Sequence, residues 1–343
     1  MLPLARLRTA ALILLACCSC SERTARREKL TVYCSATLEW CELIARTWEQ
    51  KSGVQVSMTR KSAGETLAQV TAERRNPRGD VWFGGTGDAH LQAAEAQLTE
   101  PYRSPHVDEL FPWAVDPAGK GEHRTTGIYL GALGFSYNPE WLARAGLPAP
   151  KGWKDLVGPA FKGEVQVANP NSSGTAYTML ATQVQLFGEE EAFAWLKALH
   201  ANVNQYTLSG AAPARAVARG ETGVGIAFLH DALTEKLAGF PVVLVLPEEG
   251  TGYETGCVSI IHGARHLENA KAFVDWTLTP EAQATMEKGH SYQWPSNKNA
   301  PLPSVVGTLE EMKLMKFDLQ RFGTKAERKR LLARWETDVR GGG

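Results

Sequence analysis

From residue 29 onward the apolar positions switch between two periods. Lys29–Tyr33 is a β-rich run, and Leu38, Cys41, Ile44, Ala45 and Trp48 then fall on one face of a helix over 38–51. Val54–Met58 predicts a second strand and Glu65–Arg75 a second amphipathic helix. Asp80-Val81-Trp82-Phe83 predicts a third strand running into Gly84-Gly85-Thr86-Gly87, and His90–Ala96 a third helix. This alternation predicts an α/β fold with a mainly parallel sheet. The pattern then changes: Thr126–Tyr129 and Ala132–Tyr137 read as extended, and Asn138-Pro139-Glu140 starts a helix. A second set follows, with strands at Glu164–Ala168, Val224–Phe228 and Val242–Leu246 and helices over 176–186, 190–201, 212–219 and 231–238. Gly256–Ile261 is extended, and Leu267–Leu278 and Pro280–Lys288 are helical; no repeat of solenoid length is visible.

The N-terminus fixes an address. Arg6 and Arg8 make a positive segment, Ala10–Ala16 a short apolar one, and Leu14-Leu15-Ala16-Cys17 has the form of a bacterial lipobox. The apolar run falls well short of the roughly 20 residues a spanning helix needs, so it is an export signal. Residues 1–17 are expected to be a lipoprotein signal peptide with Cys17 the lipidated residue, and 18–28, polar and basic, a tether. The other reading is a plain cleaved signal with a soluble product, since Cys18 and Cys20 crowd the site. Both place the remainder in the periplasm or cell envelope, away from ATP and nicotinamide cofactors.

The 343 residues suffice for two domains of about 150 each. Basic and acidic residues number 37 each, or 35 against 37 without Arg6 and Arg8. No basic stripe points to nucleic acid, and the Lys- and Arg-rich stretch Lys325–Arg334 reads as a solvated terminal helix. Three cysteines lie beyond the signal region: Cys34, Cys41 and Cys257. An oxidising compartment permits a Cys34–Cys41 disulfide, which geometry must decide. Cys257 is expected to be a buried apolar residue. No Cys/His spacing resembles a zinc site, and neither a metal nor a cofactor is expected.

The order of segments resembles the type II periplasmic solute-binding proteins of ATP-binding-cassette importers over nearly the whole mature chain. The residues that carry this are Lys29-Leu30-Thr31-Val32-Tyr33, Gly79-Asp80-Val81-Trp82-Phe83, Leu133-Gly134-Phe135-Ser136-Tyr137-Asn138, Trp153-Lys154-Asp155-Leu156 with Phe161-Lys162-Gly163, and Ala270–Trp276 with Pro280-Glu281-Ala282-Gln283. The resemblance implies a two-lobed periplasmic-binding-protein-like II fold with two crossover hinge strands and a central ligand cleft. Lobe one would comprise 29–130 plus 260–325, lobe two 131–259, and 326–343 a basic C-terminal helix and tail. It also implies a monomeric, non-enzymatic receptor that closes its lobes on a small solute and docks on a membrane permease. The ferric-iron branch carries a Tyr-Tyr pair after the strand matching Val224–Phe228. Leu229-His230-Asp231 stands there instead. His230-Asp231 with Glu254, and Ser62 of Ser62-Ala63-Gly64-Glu65, are similar to the hexose-phosphate-binding branch, in which such residues contact sugar hydroxyls and phosphate. A small phosphorylated solute, hexose phosphate first, is therefore expected. A ferric-iron or organophosphonate cargo is the alternative within this fold.

The chemistry of the turns points the same way. Ser35-Ala36-Thr37, Ser62-Ala63-Gly64, Gly84-Gly85-Thr86, Asn171-Ser172-Ser173-Gly174-Thr175 and Ser209-Gly210-Ala211 each precede a helix. In an open parallel sheet such turns gather at the carboxyl ends of the strands, where helix N-termini suit an anion. The candidate ligand-binding residues are Ser35, Thr37, Ser62, Gly64, Trp82, Gly85, Thr86, Ser172, Ser173, Gly174, Thr175, Gly210, His230, Asp231 and Glu254, with 171–175 the first choice for phosphate. Each Ser or Thr can equally cap its own helix, and Trp82 can face a sugar ring or fill the core. A competing class is an enzyme on this fold, with Cys34 as nucleophile and His230 as its base; a Cys34–Cys41 bridge would remove it.

Overall fold

The computed structural model describes residues 28–307, 312 and 314–341. The expected signal peptide, Cys17 and the tether up to residue 27 lie outside the described residues. The first lobe opens with β1 (Lys29–Cys34), α1 (Leu38–Ser52), β2 (Gln55–Arg60), α2 (Ala63–Ala72), β3 (Val81–Thr86), α3 (Gly87–Glu95) and α4 (Pro112–Val115). Then come β4 (Thr126–Tyr137), α5 (Pro139–Ala145), β5 (Val165–Ala168), α6 (Gly174–Phe187), α7 (Glu189–Asn202), β6 (Val203–Thr207), α8 (Ala212–Ala218), β7 (Val224–Phe228), α9 (Leu229–Leu237) and β8 (Val243–Val245). The chain returns through β9 (Tyr253–Ile260), α10 (Leu267–Thr277), α11 (Pro280–Gln283), α12 (Thr285–Lys288) and β10 (Trp294–Pro295), and ends with α13 (Leu319–Phe322) and α14 (Lys325–Trp335).

The strands run in the order β2-β1-β3-β9-β4-β7-β5-β6, with β8 and β10 also paired to β4. Each lobe has its parallel set, β2-β1-β3 in one and β7-β5-β6 in the other. Between them lie the antiparallel strands β4 and β9. The first half of β4 pairs with β9 and its second half with β7 and β8, so this strand carries the chain from lobe one to lobe two. β9 brings it back and pairs with β3. The sequence shows β4 as two extended pieces; the structure makes it one strand, buried along nearly its whole length. β6 carries no apolar alternation to read, because it is a half-exposed edge strand with Asn204 and Gln205 at its centre.

Each lobe buries its own aromatic core. Trp40, Trp48, Phe83, Phe273 and Trp276 fill lobe one, and Trp153, Tyr177, Phe193 and Trp195 fill lobe two. Full burial of a side chain such as Phe83 or Phe273 contributes about 2–3 kcal/mol. Between the lobes the chain makes a further passage that the sequence does not announce. Met315 N–H donates to Thr251 O (2.9 Å) and Gln185 Nε2 to Lys316 O (2.7 Å). A methyl on Gly87 of α3 would stand 3.2 Å from Leu319 of α13. Phe322, Leu331, Trp335 and Val339 then join the core of lobe two. Lys325–Arg334 is thus no freely solvated helix. One face is apolar and buried, while Arg330 and Arg334 fork onto Glu189 at 2.6–2.8 Å.

Cys34 at the end of β1 and Cys41 in α1 are joined in a disulfide, with Cα atoms 6.0 Å apart. The bridge closes the Ser35-Ala36-Thr37 turn on itself and consumes the thiol that a cysteine nucleophile would need. Cys257 is free and buried, and burial pushes its thiol up to about 12.

Candidate ligand cleft

The carboxyl ends of both parallel sets open into one cavity of about 410 Å³ between the lobes. β1, β2 and β3 contribute Ser35, Thr37, Ser62, Gly85 and Thr86 from lobe one. β5, β6 and β7 contribute Ser173, Gly174, Thr175, Gly210, His230 and Asp231 from lobe two, and Glu254 stands on β9 at the hinge. Twelve of the fifteen expected site residues therefore line a single space. The lobes touch across it: a methyl on Gly64 would sit 3.2 Å from Ser172 O, and one on Gly174 would collide with Thr86.

Three expected residues do not line the cavity. Trp82 is fully buried, stacks on His90 (centroids 3.8 Å apart) and donates from Nε1 to Ser35 Oγ at 3.0 Å. It belongs to the core and orients a cleft hydroxyl from behind, which the alternation of apolar residues in β3 could not show. Gly64 lies beside the opposite lobe instead of the cavity, its lack of a side chain leaving room for Ser172 O. Ser172 uses its hydroxyl to build the turn, its single proton shared between Asn169 O (3.2 Å) and Leu208 O (3.3 Å). Capping also engages Ser62, whose hydroxyl donates to Glu65 Oε2 (2.7 Å) and accepts from Glu65 N–H (3.4 Å). Ser173 caps α6 by accepting from Ala176 N–H at 3.5 Å. At both turns the next helical N–H groups remain for an anion.

The cavity floor is made by the hinge strands. Tyr129 Oη accepts from Gly85 N–H at 3.0 Å, and Gly85 reaches this position with φ +89°, a region that favours glycine. Gly131 on β4 carries no side chain because a methyl there would stand 2.8 Å from His230 Nδ1 and 3.0 Å from Glu254 Oε1. His230 Nε2 lies 3.8 Å from Asp231 Oδ1 and 3.7 Å from Glu254 Oε1, too far for hydrogen bonds, and buried Nδ1 and Thr86 Oγ1 have no partner among the described residues. Burial holds the His230 imidazole below its ordinary pKa against the pull of Asp231. Burial raises Asp231, and burial, with the charges of Asp231 and Asp88, raises Glu254 well above the carboxylate range. Such a cluster can accept from hydroxyls and donate to an oxygen.

Other lining residues come from places that no local motif marks. Tyr129 lies inside β4, while His290 and Gln293 lie between α12 and β10. Arg60 closes β2, and Arg215 sits one turn into α8 from the other lobe. Arg60 Nε donates to Ala36 O at 3.2 Å, and neither arginine has an ion-pair partner among the described residues. Among those residues no group of three or more His, Cys, Asp or Glu side chains is arranged to hold a metal ion.

The model of the family described as bacterial extracellular solute-binding protein matches residues 80–316. An uncharacterized protein of Haemophilus influenzae is 48% identical over 314 residues, 91% of each chain. The fructose-6-phosphate-bound structure of the periplasmic binding protein AfuA from Actinobacillus pleuropneumoniae superposes with a TM-score of 0.90. It is 47% identical and covers 91% of this chain and 99% of that one. The periplasmic binding protein P5PA gives a TM-score of 0.87 at 40% identity, over 91% and 100%. With a family match across most of its length and two such neighbours, this chain belongs to the bacterial extracellular solute-binding proteins, the periplasmic receptors with two lobes and a cleft between them.

Proposed function

We propose that this protein captures a small phosphorylated compound, hexose phosphate first, by closing its lobes, and delivers it as a monomer to the membrane permease of an ATP-binding-cassette importer. The observation that carries the reading is the cleft's composition. His230, Asp231 and Glu254 gather at the hinge, and the N-terminal turns of α2 and α6 open into the same cavity. Carboxylates and an imidazole suit sugar hydroxyls, and helix N-termini suit phosphate. The likeness to fructose-6-phosphate-bound AfuA supports the same cargo class. Cys17 is proposed as the lipid anchor that keeps the receptor beside its permease.

The test is a thermal-shift screen of the mature protein, since a ligand that binds only the folded state raises its melting temperature. The compounds are glucose 6-phosphate, fructose 6-phosphate, glucose, phosphate, aminoethylphosphonate and ferric citrate. A shift with the sugar phosphates alone supports the reading. A shift with aminoethylphosphonate or ferric citrate, or with none, overturns it. His230→Ala and Asp231→Asn should each weaken sugar-phosphate binding by about 1–3 kcal/mol in calorimetric titrations, because each strands a buried polar group. Wild-type affinity in both would remove these residues from the site.

A further inference from the structure

Glu254 is a cleft carboxyl with nothing to hold a charge. It stands on hinge strand β9 and lines the cavity, with 5% of its side chain exposed. Gly131 pairs with it from β4, and a methyl there would stand 3.0 Å from Glu254 Oε1. His230 Nε2 of α9 lies 3.7 Å away, beyond a hydrogen bond, and among the described residues no donor, Lys or Arg reaches the carboxyl. The other titratable groups around it supply no partner. α9 adds Asp231, β4 adds Tyr129, and β9 itself Tyr253 and Cys257. α3 adds Asp88, which pairs with Arg328 of α14. Tyr177 of α6 donates to Phe322 O; in α10 Lys271 pairs with Glu268, and Asp275 accepts from Tyr102. β3 and α4 bring no titratable side chain. Arg60, Arg215 and His290 line the same cavity, and both arginines act on Asp231.

We propose that Glu254 is a protonated carboxyl in the cargo-bound cleft, giving a hydrogen bond to a cargo oxygen, so that capture of the solute takes up one proton from solution. The proposal rests on the sugar-phosphate reading above. A buried carboxylate with neither cation nor donor is costly, and such a group takes a proton instead. Burial drives Glu254 well above the ordinary carboxylate range, with the negative charges of Asp231 and Asp88 adding to the effect. The protonated form reads cargo differently: its O–H donates and its C=O accepts, whereas a carboxylate only accepts. An anionic phosphate brought into the same cavity favours the protonated form further. On the proposed lobe closure, a parted cleft would expose Glu254 to water and return it toward its ordinary range, ionised at neutral pH. Closing on cargo would then add a proton from the buffer to a Glu254 carboxylate oxygen. The complex holds that proton more tightly than the free receptor does. Affinity is therefore full at low pH and falls as pH rises, by up to about 10-fold per pH unit for one proton.

The test is calorimetric titration of wild type, Glu254→Gln and Asp231→Asn with glucose 6-phosphate from pH 7 to pH 8.5. In that window the phosphate, with a second pKa of about 6, is ionised, and His230 is held neutral by burial. Wild type should lose about 10-fold or more in affinity across it. Titrations in two buffers of different ionisation heat should show close to one proton taken up. Glu254→Gln keeps a donor without the acid, so it should bind within about 10-fold of wild type at pH 7, lose the pH dependence and take up no proton. Asp231→Asn should bind more weakly but keep the fall with pH. The infrared difference between bound and free wild type should gain a protonated-carboxyl band that Glu254→Gln lacks. Should Glu254→Gln fail to fold, the wild-type proton count and the Asp231→Asn slope still decide. A wild-type affinity that is flat across the window, or a fall that survives in Glu254→Gln, overturns the proposal. A fall lost in Asp231→Asn overturns it as well, because the proton then sits on Asp231. Refusal of glucose 6-phosphate by wild type at every pH instead overturns the sugar-phosphate reading itself.

Discussion

Asp88→Asn should cost the protein its grip on cargo while leaving the unliganded fold nearly as stable as before. Asp88 opens α3 in lobe one, two residues beyond Thr86 of the cleft, and pairs with Arg328 of α14, a helix seated in the core of lobe two. Only 10% of the Arg328 side chain and 5% of that of Asp88 are exposed. Arg328 also donates to Pro170 O at 3.3 Å, just before the Ser173 turn, and lies 4.2 Å from the Tyr177 ring centroid. If the lobes part between α3 and α14, opening would hydrate both partners and closing would bury both. Removing one member of a buried pair costs about 3–5 kcal/mol, and the remaining contacts of Arg328 place this case near about 3 kcal/mol. That penalty falls on the closed state, so sugar-phosphate affinity should drop by about two decades. The melting temperature of the unliganded protein should change little. Arg328→Met on the Asp88→Asn background removes the stranded charge and should recover much of the loss. Calorimetric titration gives the affinities and a melt gives the stability. Wild-type affinity in Asp88→Asn with a lowered unliganded melting temperature would mean that the pair lies within one rigid body and has no part in closure.

Three further outcomes are expected. Replacing Cys34 and Cys41 by alanine frees the Ser35–Thr37 turn and should lower stability by about 2.5 kcal/mol, the entropic value for so short a loop; urea melts with and without the bridge measure it. Gly131→Ala places a methyl 2.8 Å from His230 Nδ1 and should weaken sugar-phosphate binding at least about 10-fold, read by titration, with core packing elsewhere untouched. Glu189, held at about 2 by its hydrogen bonds to Arg330 and then Arg334, should help anchor α14 with full effect above its ordinary 4.5. Its contribution should fade as pH drops from about 4.5 toward about 2, because protonation breaks the pairs. Glu189→Gln should therefore be less stable than wild type at pH 7 by about 1 kcal/mol, and the gap in urea melts should shrink below pH 4.5.

The sequence exposes those parts of the candidate cleft in which local chemistry and position coincide. A turn with small hydroxyl residues before a helix is legible because period, cap and turn all mark the same place, as at Ser62 and Ser173. His230-Asp231 is legible for the same reason, standing where β7 becomes α9. Trp82 shows the limit. Alternation in a strand buried on both faces does not tell which face meets the cleft, and Trp82 points into the core. Arg60 and Arg215 show another. Each is an unremarkable cation in its own segment, and only the sheet order brings them to one cavity. The passage through 314–324 is hidden more deeply, since it contains one helix of four residues and is fixed by contacts such as Gln185 with Lys316 that span over a hundred residues.

Much of what would set affinity in this fold never touches the cargo. Gly64 faces Ser172 O, and Arg328 joins Asp88 to the backbone of Pro170, both between the two lobes and outside the cavity lining. On the proposed lobe closure, contacts made only when the lobes meet would add to binding by favouring closure. A receptor that must also release its cargo gains from this division. On the proposed function, recognition would lie in the hydroxyls, helix N-termini and buried acid cluster of the cleft, and closure in contacts outside it such as Asp88–Arg328. On that reading, a permease that prises the lobes apart would hydrate Arg328 and Asp88 and so loosen the cargo from outside the cavity.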